Sequence, residues 1–201
     1  MIEISTSHDS GCNCHEVPQD ILCESLPKVM KALKAGEKET IEFHDQFVTC
    51  LFEIIENRRQ DKHPVDKCVL KALSKMMPLL GCSGLKRYAY ILVFHIDSIL
   101  REPDSEDEAD SSSIQITISL IGDLFTALQS DAFPYLNNMM KLLLDRKKLT
   151  LPARIACVSA LGKTAAGVGE RFHPYLSDVL QLLRETSELV ATSDVSFFLL
   201  N

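Results

Sequence analysis

Apolar residues in the second half of the chain recur with the spacing of one face of an α-helix. Spacings of three, four and seven residues bring side chains together on one side of a helix with about 3.6 residues per turn. Two consecutive segments show this spacing, and both are therefore predicted to be amphipathic helices. Their apolar stripes are Ile118, Ile121, Phe125 and Leu128 in the first segment, and Leu136, Met139, Met140 and Leu143 in the second.

The same two-helix pattern returns forty residues further along the chain. Residues 118–143 and 158–183 share seven of 26 aligned residues, whereas average residue usage gives about two matches by chance. A fixed period of roughly 20 to 50 residues predicts a repeated supersecondary unit. The identical pairs are Ser119/Ser159, Gly122/Gly162, Pro134/Pro174, Tyr135/Tyr175, Leu136/Leu176, Leu142/Leu182 and Leu143/Leu183. The stripes of the second unit are Val158, Leu161, Ala165 and Val168, then Leu176, Val179, Leu180 and Leu183.

Each unit is predicted to be a hairpin of two antiparallel helices joined by a short turn. Pro134 and Pro174 stand where the second helix opens, a position whose backbone N–H has no helical partner in any case. Gly122 and Gly162 fall inside the first helix, where Gly costs about 1 kcal/mol relative to Ala. Close approach of the paired helix would explain both glycines.

Two further hairpins are predicted upstream from the same rhythm of apolar residues. Pro27 lies in the first helix of the first hairpin and predicts a kink or a late start near Glu24. Gly81 and Gly84 separate the two helices of the second hairpin. The predicted helices are Asp20–Lys34 with Thr40–Asn57, and Val65–Leu80 with Leu85–Arg101.

A single hairpin of two helices cannot bury its apolar faces alone, so successive hairpins stack and share one core. The sequence therefore predicts an all-α fold, an α-solenoid of about four hairpins with the period of HEAT and armadillo repeats. We expect a frayed terminus over 1–17, the solenoid over 18–190 and a tail over 191–201. The four hairpins are placed at about 18–57, 64–101, 114–146 and 151–188.

Charge and hydropathy exclude two classes of partner. The 201 residues include 21 basic and 28 acidic ones, a net charge of −7. Nucleic-acid binding requires clustered cations for phosphate contacts, so no nucleic-acid partner is expected. No apolar run reaches the roughly 20 residues of a membrane-spanning helix, so no membrane insertion is expected. The partners are predicted to be proteins, with basic surfaces where charge contributes.

An acidic segment over 102–113 lies between the second and third hairpins. It carries six carboxylates within nine residues and no apolar anchor, so it is predicted to be a solvated, mobile loop. One interpretation is a solubilising insertion. The alternative is electrostatic capture of a basic partner segment. The candidate contacts for that role are Asp104, Glu106, Asp107, Glu108 and Asp110.

No catalytic, cofactor-binding or metal-binding residues are predicted. Cys12, Cys14, His15 and Cys23 lack the C-x-x-C spacing of zinc ligands, so a frayed terminus is the preferred interpretation. The triplet at 162–164, Gly-Lys-Thr, lacks the upstream Gly and preceding strand of a phosphate-binding loop. The chain is therefore not expected to be an enzyme.

The residues of the third and fourth hairpins resemble the C-terminal half of importin-β (karyopherin-β). The resemblance is carried by 119–130 (SLIGDLFTALQS), 133–136 (FPYL) and 139–144 (MMKLLL), and continues in 161–172 (LGKTAAGVGERF) and 175–183 (YLSDVLQLL). It implies a nuclear-transport receptor of the cytoplasm, nucleus and nuclear pore. Its implied partners are cargo or an importin-α-type adaptor, the Ran GTPase, and phenylalanine-glycine (FG) repeats of nucleoporins.

The resemblance also assigns the two sides of the solenoid. The first helix of each hairpin becomes an outer helix, and grooves between the last two outer helices become candidate phenylalanine pockets. The second helices become inner helices, and the last two inner helices are expected to span Phe133–Arg146 and Arg171–Glu188. The inner partner-binding surface would then include Asn137, Asn138, Lys141, Asp178 and Gln181. Four hairpins form only part of such a receptor, so a partial receptor is expected.

Two alternatives remain open. A HEAT scaffold subunit of a phosphatase-like, condensin-like or other cytosolic assembly would share the solenoid without taking part in transport. An enzyme of unknown chemistry is the third interpretation. Binding to FG peptides or Ran-GTP favours the transport receptor, a stable subunit complex favours the scaffold, and turnover that depends on a single Cys or His favours the enzyme.

Overall fold

A computed structural model describes residues 19–32, 38–60, 67–101, 108–144 and 149–199. All regular structure within these ranges is helical, which confirms the predicted all-α class. Seven α-helices are described, and 3₁₀ turns at Gln129–Ala132 and Gly169–Tyr175 follow α4 and α6. The helices are α1 (Gln19–Ala32), α2 (Lys38–Gln60), α3 (Lys67–Arg101), α4 (Glu108–Leu128), α5 (Phe133–Leu144), α6 (Leu151–Val168) and α7 (Leu176–Leu199).

The helices pack side by side in two rows, as a stack of hairpins requires. In the outer row, α1 packs on α3, α3 on α4 and α4 on α6. In the inner row, α2 packs on α3, α3 on α5 and α5 on α7. Helix α3 belongs to both rows because it bends midway. One continuous core runs between the rows, from Val48 in α2 to Val179 in α7.

The bend in α3 replaces the loop that was expected within the second hairpin. Only Gly81 departs from helical dihedrals, with φ 63° and ψ 177°, and helix resumes on both sides of it. Pro78, three residues earlier, cannot donate a backbone hydrogen bond and weakens the helix before the bend. The predicted separation of two helices by Gly81 and Gly84 is therefore wrong at Gly84, which lies inside the second half of α3.

Among the described helices, α3 has the length and apolar composition that would also suit a membrane-spanning segment. Its side chains account for this composition without a membrane. Thirteen of its residues are buried against neighbouring helices, including Met76 and Met77 before the bend and Leu92 and Ile96 after it. Part of the apolar character of α3 therefore reflects its position in both rows of the core, while Tyr90, Ile91 and Phe94 are exposed.

The forty-residue period is visible in the backbone where the outer helices end. Gln129 follows α4 with φ 50°, and Gly169, forty positions later, follows α6 with φ 58°. Gly81 ends the first half of α3 with the same sign of φ. A positive φ reverses the chain direction after a helix and favours glycine. Three outer helices are therefore each followed or interrupted by a residue with positive φ, and at Gln129 that residue carries a side chain.

The two internal glycines of the repeat behave differently from each other. A Cβ on Gly122 of α4 would lie 3.0 Å from the Ala160 Cα of α6, so this glycine does permit a close approach. The approaching helix is the next outer helix, however, and not the hairpin partner α5. A Cβ on Gly162 would meet nothing within 4 Å. The expected close approach at Gly162 is therefore absent, since Gly162 lies on a side of α6 that none of the described helices covers.

Several predicted boundaries differ from the described ones. The late start predicted near Glu24 is wrong, because α1 begins at Gln19 and runs through Pro27. Pro134 does open α5, but Pro174 lies in the 3₁₀ turn, and α7 begins two residues later. Residues 191–199, expected to form a tail, continue α7. The segment 108–113, expected to be loop, forms the start of α4.

The predicted stripes are buried in the third hairpin and only partly in the fourth. All eight stripe residues of α4 and α5 belong to the core, with Ile118 and Met140 each 0% exposed. In α7 only Val179 is buried, and the other three stripe residues are exposed. Those three are Leu176, Leu180 and Leu183. The prediction that they face a core is wrong, because none of the described helices covers this side of α7.

Candidate protein-binding surface

Ion pairs and hydrogen bonds connect neighbouring helices of the inner row. Asp45 of α2 accepts a hydrogen bond from Arg87 Nη1 of α3 at 2.8 Å. It also accepts one from the Tyr88 hydroxyl. Tyr88 is half-buried, and burial followed by the hydrogen bond to Asp45 raises the pKa of its phenol. The contact fixes the rotation of α2 relative to α3 and leaves the remaining exposed face of α3 open.

The next connection along the row joins α3 to α5. Asn138 of α5 donates a hydrogen bond from Nδ2 to Asp97 Oδ1 of α3, at 3.3 Å. Arg101 Nε donates to Asp97 Oδ2 at 2.7 Å, one helical turn away. Asn138, predicted as a partner-binding residue, is thus partly buried and engaged in holding α5 against α3.

An exposed apolar cluster occupies the open face of α3 between these two connections. We call Tyr90, Ile91 and Phe94 the aromatic patch. Tyr90 is 73% exposed and Phe94 is 51% exposed, and Phe94 also makes an edge contact with the buried His95 ring. The patch lies in the middle of the inner row, where Arg87 precedes it and Asp97 follows it along the same helix.

The other predicted inner residues are exposed on α5 and α7, which lie on one side of the patch. Asn137 and Lys141 are exposed on α5, one helical turn apart. Asp178 and Gln181 are exposed on α7, and Gln181 Nε2 donates to Glu185 Oε1 at 3.0 Å. On the far side of α3, helix α2 exposes polar and acidic side chains. These are Glu42, Gln46, Thr49, Glu53, Asn57 and Gln60.

The acidic segment is only partly described. Asp104, Glu106 and Asp107 lie outside the described residues. Glu108 and Asp110 fall in the first turn of α4. The loop predicted over 102–113 therefore ends at 107 at the latest, and its last six residues are helix.

Helices α4 and α6, between which phenylalanine pockets were expected, approach each other closely at two positions. A Cβ on Gly167 of α6 would lie 2.3 Å from the Phe125 carbonyl oxygen of α4, so the two backbones are in direct contact. Between this contact and the one at Gly122, Lys163 Nζ donates to Asp123 Oδ1 at 2.6 Å across the two helices. Two backbone contacts and an ion pair thus join α4 to α6 along this stretch.

Titratable side chains near the bend of α3 hold no activated nucleophile. Cys82 is exposed and its thiol donates to Asp131 Oδ2 at 3.3 Å, while Lys86 Nζ donates to Asp131 Oδ1 at 3.1 Å. The hydrogen bond to Asp131, with some burial, raises the pKa of the Cys82 thiol. The hydrogen bonds from Lys86 and Cys82 lower the pKa of Asp131. A protonated thiol is a weak nucleophile, so the cluster serves to join α3 to the turn after α4.

Histidine and cysteine clusters do not indicate catalysis or metal binding in the described ranges. Within them, no group of three or more His, Cys, Asp or Glu side chains is arranged to hold a metal ion. His95 is buried and stacks on Phe52 of α2, with ring centroids 5.3 Å apart. Burial lowers the pKa of His44 on α2. Of the cluster considered at the amino terminus, Cys12, Cys14 and His15 lie outside the described residues, and so does the side chain of Cys23.

The aromatic patch lies off the buried stripe that the apolar spacing of α3 predicts. That stripe, from Leu85 through Leu92 to Ile96, faces the core. Tyr90 and Phe94 are four residues apart and lie off the stripe, on another side of the same helix. Two aromatic residues on the side of an amphipathic helix away from its core are the sequence signal that identifies such a patch.

Comparisons with known proteins agree with the repeat architecture. A sequence-family profile described as "Importin subunit beta-1-like, TPR repeats" matches residues 3–200. Importin subunit beta-1 of Schizosaccharomyces pombe (strain 972 / ATCC 24843) is 24% identical over 190 residues, which cover 93% of this chain and 21% of that protein. The chain spans about a fifth of the length of this relative. No solved structure matches the chain significantly.

The family description and the repeat period can be reconciled. TPR units have about 34 residues, whereas HEAT and armadillo units have about 40 to 47, and the period of this chain is forty. Both kinds of unit place two antiparallel helices side by side, and the described helices form such hairpins. The profile match extends over almost the whole length, including all seven described helices. The chain belongs to the importin subunit beta-1-like family of helical-repeat proteins.

Proposed function

We propose that the chain acts as part of an importin-β-like nuclear transport receptor and binds a protein partner on its inner row. The aromatic patch (Tyr90, Ile91 and Phe94) is the observation that carries the proposal. Clustered large apolar side chains on a surface mark interaction sites, and aromatic residues are enriched at the centres of protein interfaces. A partner that covers the patch removes this apolar area from water.

The net charge of the chain favours a basic partner segment. The whole chain has a net charge of −7, and Glu42 and Glu53 are exposed on α2 and Asp178 on α7. Exposed cations are also present, Arg87 one turn before the patch and Lys141 on α5, so the favourable term is the net charge and not a purely acidic surrounding. Complementary charge accelerates association and orients the partner, while the buried aromatic contacts supply most of the affinity. The proposed ligand is a basic segment with an apolar residue that reaches the patch, from cargo or from an importin-α-type adaptor.

Two further partners follow from membership of the family. The relative from fission yeast is named as an importin subunit, and the family's helical repeats bind proteins and are in general non-catalytic. We therefore include the Ran GTPase and FG nucleoporins among the proposed partners. The proposed location is the cytoplasm and nucleus, at the nuclear pore. The acidic candidates Asp104, Glu106, Asp107, Glu108 and Asp110 remain proposed contacts for the basic segment.

The test measures binding of the full chain to three probes: a basic adaptor-type peptide, an FG-repeat peptide and Ran-GTP. Fluorescence anisotropy at several salt concentrations is expected to show binding of the basic peptide that weakens as salt rises. The double variant Tyr90→Ser/Phe94→Ser is expected to bind it at least about tenfold more weakly, because truncating interface aromatics costs more than about 1 kcal/mol.

Val29→Ser provides the matched control, since it also removes an exposed apolar side chain but lies on α1 in the outer row. Its affinity for the basic peptide should equal that of the unmodified chain. If none of the three probes binds, the transport function is wrong. A stable complex with a different subunit would then favour the scaffold alternative. If the peptide binds equally well to the Tyr90→Ser/Phe94→Ser variant, the patch is not the site.

A further inference from the structure

Two successive inner helices carry a polar pair at the same repeat position, and the two pairs differ in charge. On α3 the pair is Asp97 and Arg101, one helical turn apart, and Arg101 Nε donates to Asp97 Oδ2 at 2.7 Å. Forty residues later, on α5, the pair is Asn137 and Lys141. The cation is thus kept at the second position, whereas an uncharged amide replaces the carboxylate that neutralises it on α3.

The charge of Lys141 is therefore not compensated within the chain. Lys141 is exposed, and none of the described side chains forms a hydrogen bond or an ion pair with its ammonium or with the Asn137 amide. Arg87 and Arg101 on α3 are also exposed cations, but each already binds a carboxylate of the chain. A partner can bind Lys141 without breaking an existing ion pair, so a complementary charge there favours association.

Lys141 lies close enough to the aromatic patch for one segment to contact both. The hydrogen bond from Asn138 to Asp97 sets the register of α5 against α3. Phe94 lies three residues before Asp97 on α3. Lys141 lies three residues after Asn138 on α5, which runs in the same direction. Phe94 and Lys141 are therefore offset by about 9 Å along the helices. Since neighbouring helix axes are about 10 Å apart, the two residues are separated by roughly 13 Å.

An extended segment covers this distance with about four residues, at roughly 3.3 Å per residue. Side chains four residues apart in such a segment point to the same side, so both can face the inner row. Asp178, exposed on α7, lies on the other side of α5 and repels a carboxylate that approaches from there. A carboxylate that reaches Lys141 is therefore favoured on the α3 side, where the aromatic patch lies.

We infer that Lys141 is a specificity residue of the inner row and forms an ion pair with a carboxylate of the partner. The partner segment is extended, places an apolar side chain on the aromatic patch, and carries an Asp or Glu about four residues away from it. Asn137, one turn from Lys141, can donate its amide to the same carboxylate. The inference rests on the proposed function, in which an otherwise basic segment covers the patch.

The experiment measures binding of the full chain to short lysine-rich peptides by fluorescence anisotropy at low salt. Each peptide has one Phe and an Asp four residues after or before it, and a matched peptide has Asn in place of the Asp. For one of the two directions, the Asp peptide is expected to bind about three- to fivefold more tightly. Net charge alone predicts the opposite order, because the chain is acidic and the Asp peptide is less basic.

Three variants test whether Lys141 causes this preference. Lys141→Met should abolish it, and Lys141→Arg should keep it. Asn137→Asp recreates the pair that α3 has and should also abolish it, because the new carboxylate neutralises Lys141. Lys75→Met is the matched control, since it removes an exposed lysine from the outer half of α3 and should leave the preference unchanged.

Lys141 lies in the last turn of α5, where a cation also stabilises the helix end. That role affects both peptides equally, so the ratio of their affinities does not report it. If Asp and Asn peptides bind equally, and Tyr90→Ser/Phe94→Ser weakens both, the proposed function stands and the role of Lys141 is wrong. If no peptide binds, the proposed site is wrong as well. A preference that survives Lys141→Met, or that Lys75→Met also removes, overturns the inference.

Discussion

Gly167 of α6 lies directly on the backbone of Phe125 in α4. A Cβ at Gly167 would stand 2.3 Å from the Phe125 carbonyl oxygen and 2.8 Å from its carbonyl carbon. Real Cβ atoms do not approach backbone atoms this closely, so any side chain at Gly167 must push the two helices apart. Together with Gly122, this residue sets the distance between the last two helices of the outer row.

Replacement of Gly167 by alanine is therefore expected to destabilise the chain. Alanine gains about 1 kcal/mol over glycine in a helix, but separating packed helices costs more than this gain. We expect the free energy of unfolding to fall by about 1–3 kcal/mol. Urea denaturation followed by far-ultraviolet circular dichroism measures the change.

The control for this prediction is Gly162→Ala in the same helix. Nothing lies within 4 Å of the added Cβ, so the substitution changes only the intrinsic helix propensity at this position. The free energy of unfolding should rise by about 0.5–1 kcal/mol. If Gly167→Ala and Gly162→Ala both raise the free energy of unfolding, the contact between Gly167 and Phe125 does not limit how closely α6 packs on α4.

Substitutions at Gln129 and Gly169, which occupy equivalent positions of two repeats, should change the free energy of unfolding in opposite directions. Both have positive φ after an outer helix, and only Gln129 has a side chain in that conformation. Gln129→Gly removes backbone strain of about 1 kcal/mol from the folded chain. Glycine also makes the unfolded chain more flexible, which offsets part of this gain. The free energy of unfolding should therefore rise by about 0.5–1 kcal/mol.

Gly169→Ala is the companion change and should lower the free energy of unfolding by about 1 kcal/mol. The space around Gly169 is open, so backbone conformation and not collision causes the loss. Thermal and urea unfolding of the two variants measure these differences. If both substitutions change the free energy of unfolding in the same direction, the two positions do not share a requirement for positive φ.

The ion pair of Asp123 and Lys163 should contribute little to stability, and less at high salt. Its atoms are 2.6 Å apart, but the Lys163 side chain is half-exposed and solvent weakens the attraction. A double-mutant cycle with Asp123→Asn and Lys163→Met is expected to give a coupling energy of about 0.3–1 kcal/mol at low salt. The coupling should decline in 1 M salt.

Asp123→Asn alone should cost more than the coupling energy, because Asp123 Oδ2 also accepts a hydrogen bond from Ser74 Oγ of α3, at 2.7 Å. One carboxylate thereby joins three successive helices of the outer row. The cycle therefore needs Ser74→Ala as a third single variant. If Ser74→Ala and Asp123→Asn have additive effects, the hydrogen bond does not stabilise the fold.

Tyr88 predicts how stability changes at alkaline pH. Burial and the hydrogen bond to Asp45 raise the pKa of Tyr88 in the folded chain, while an unfolded tyrosine ionises near 10. The stabilisation that Tyr88 gives to the folded chain is therefore fully present below pH 10. It is lost as the pH rises from 10 toward the raised pKa of Tyr88 in the folded chain. Stability should fall more steeply between pH 9 and 11 in the unmodified chain than in Tyr88→Phe.

Urea midpoints of the two proteins across this pH range provide the measurement. The pKa values of the Cys50 and Cys82 thiols are also raised, by burial at Cys50 and by the hydrogen bond to Asp131 at Cys82. Both thiols are present in each protein, so their titration cancels in the difference. If the urea midpoints of the two proteins fall equally as the pH rises, the Tyr88 hydroxyl has the same pKa in the folded and unfolded chain.

The helices and most of the core were predictable from the sequence because apolar residues recur at the helical period on the buried side of each helix. The stripes of α4 and α5 are buried as expected, and α6 has the predicted bounds, Leu151–Val168. The stripe of α7 has the same spacing but is exposed at Leu180, since burial also depends on a neighbour that spacing does not specify. The bend at Gly81 depends on one φ angle, so the sequence could not distinguish it from a loop.

The candidate surface was less predictable than the fold. Asn138 was grouped with Asn137 because both are polar residues on an inner helix, yet Asn138 bonds to Asp97 and only Asn137 is exposed. Which polar residue joins two helices and which faces solvent depends on the rotation of one helix against the next. That rotation depends on contacts between residues about forty positions apart, such as Asn138 with Asp97, which the sequence spacing does not specify.

The contrast between the two rows has a mechanical consequence. Backbone contacts at Gly122 and Gly167 hold α4 and α6 together along their lengths, whereas α5 and α7 meet at only a few points. We therefore expect α4 and α6 to separate less readily than α5 and α7 when the stack is strained.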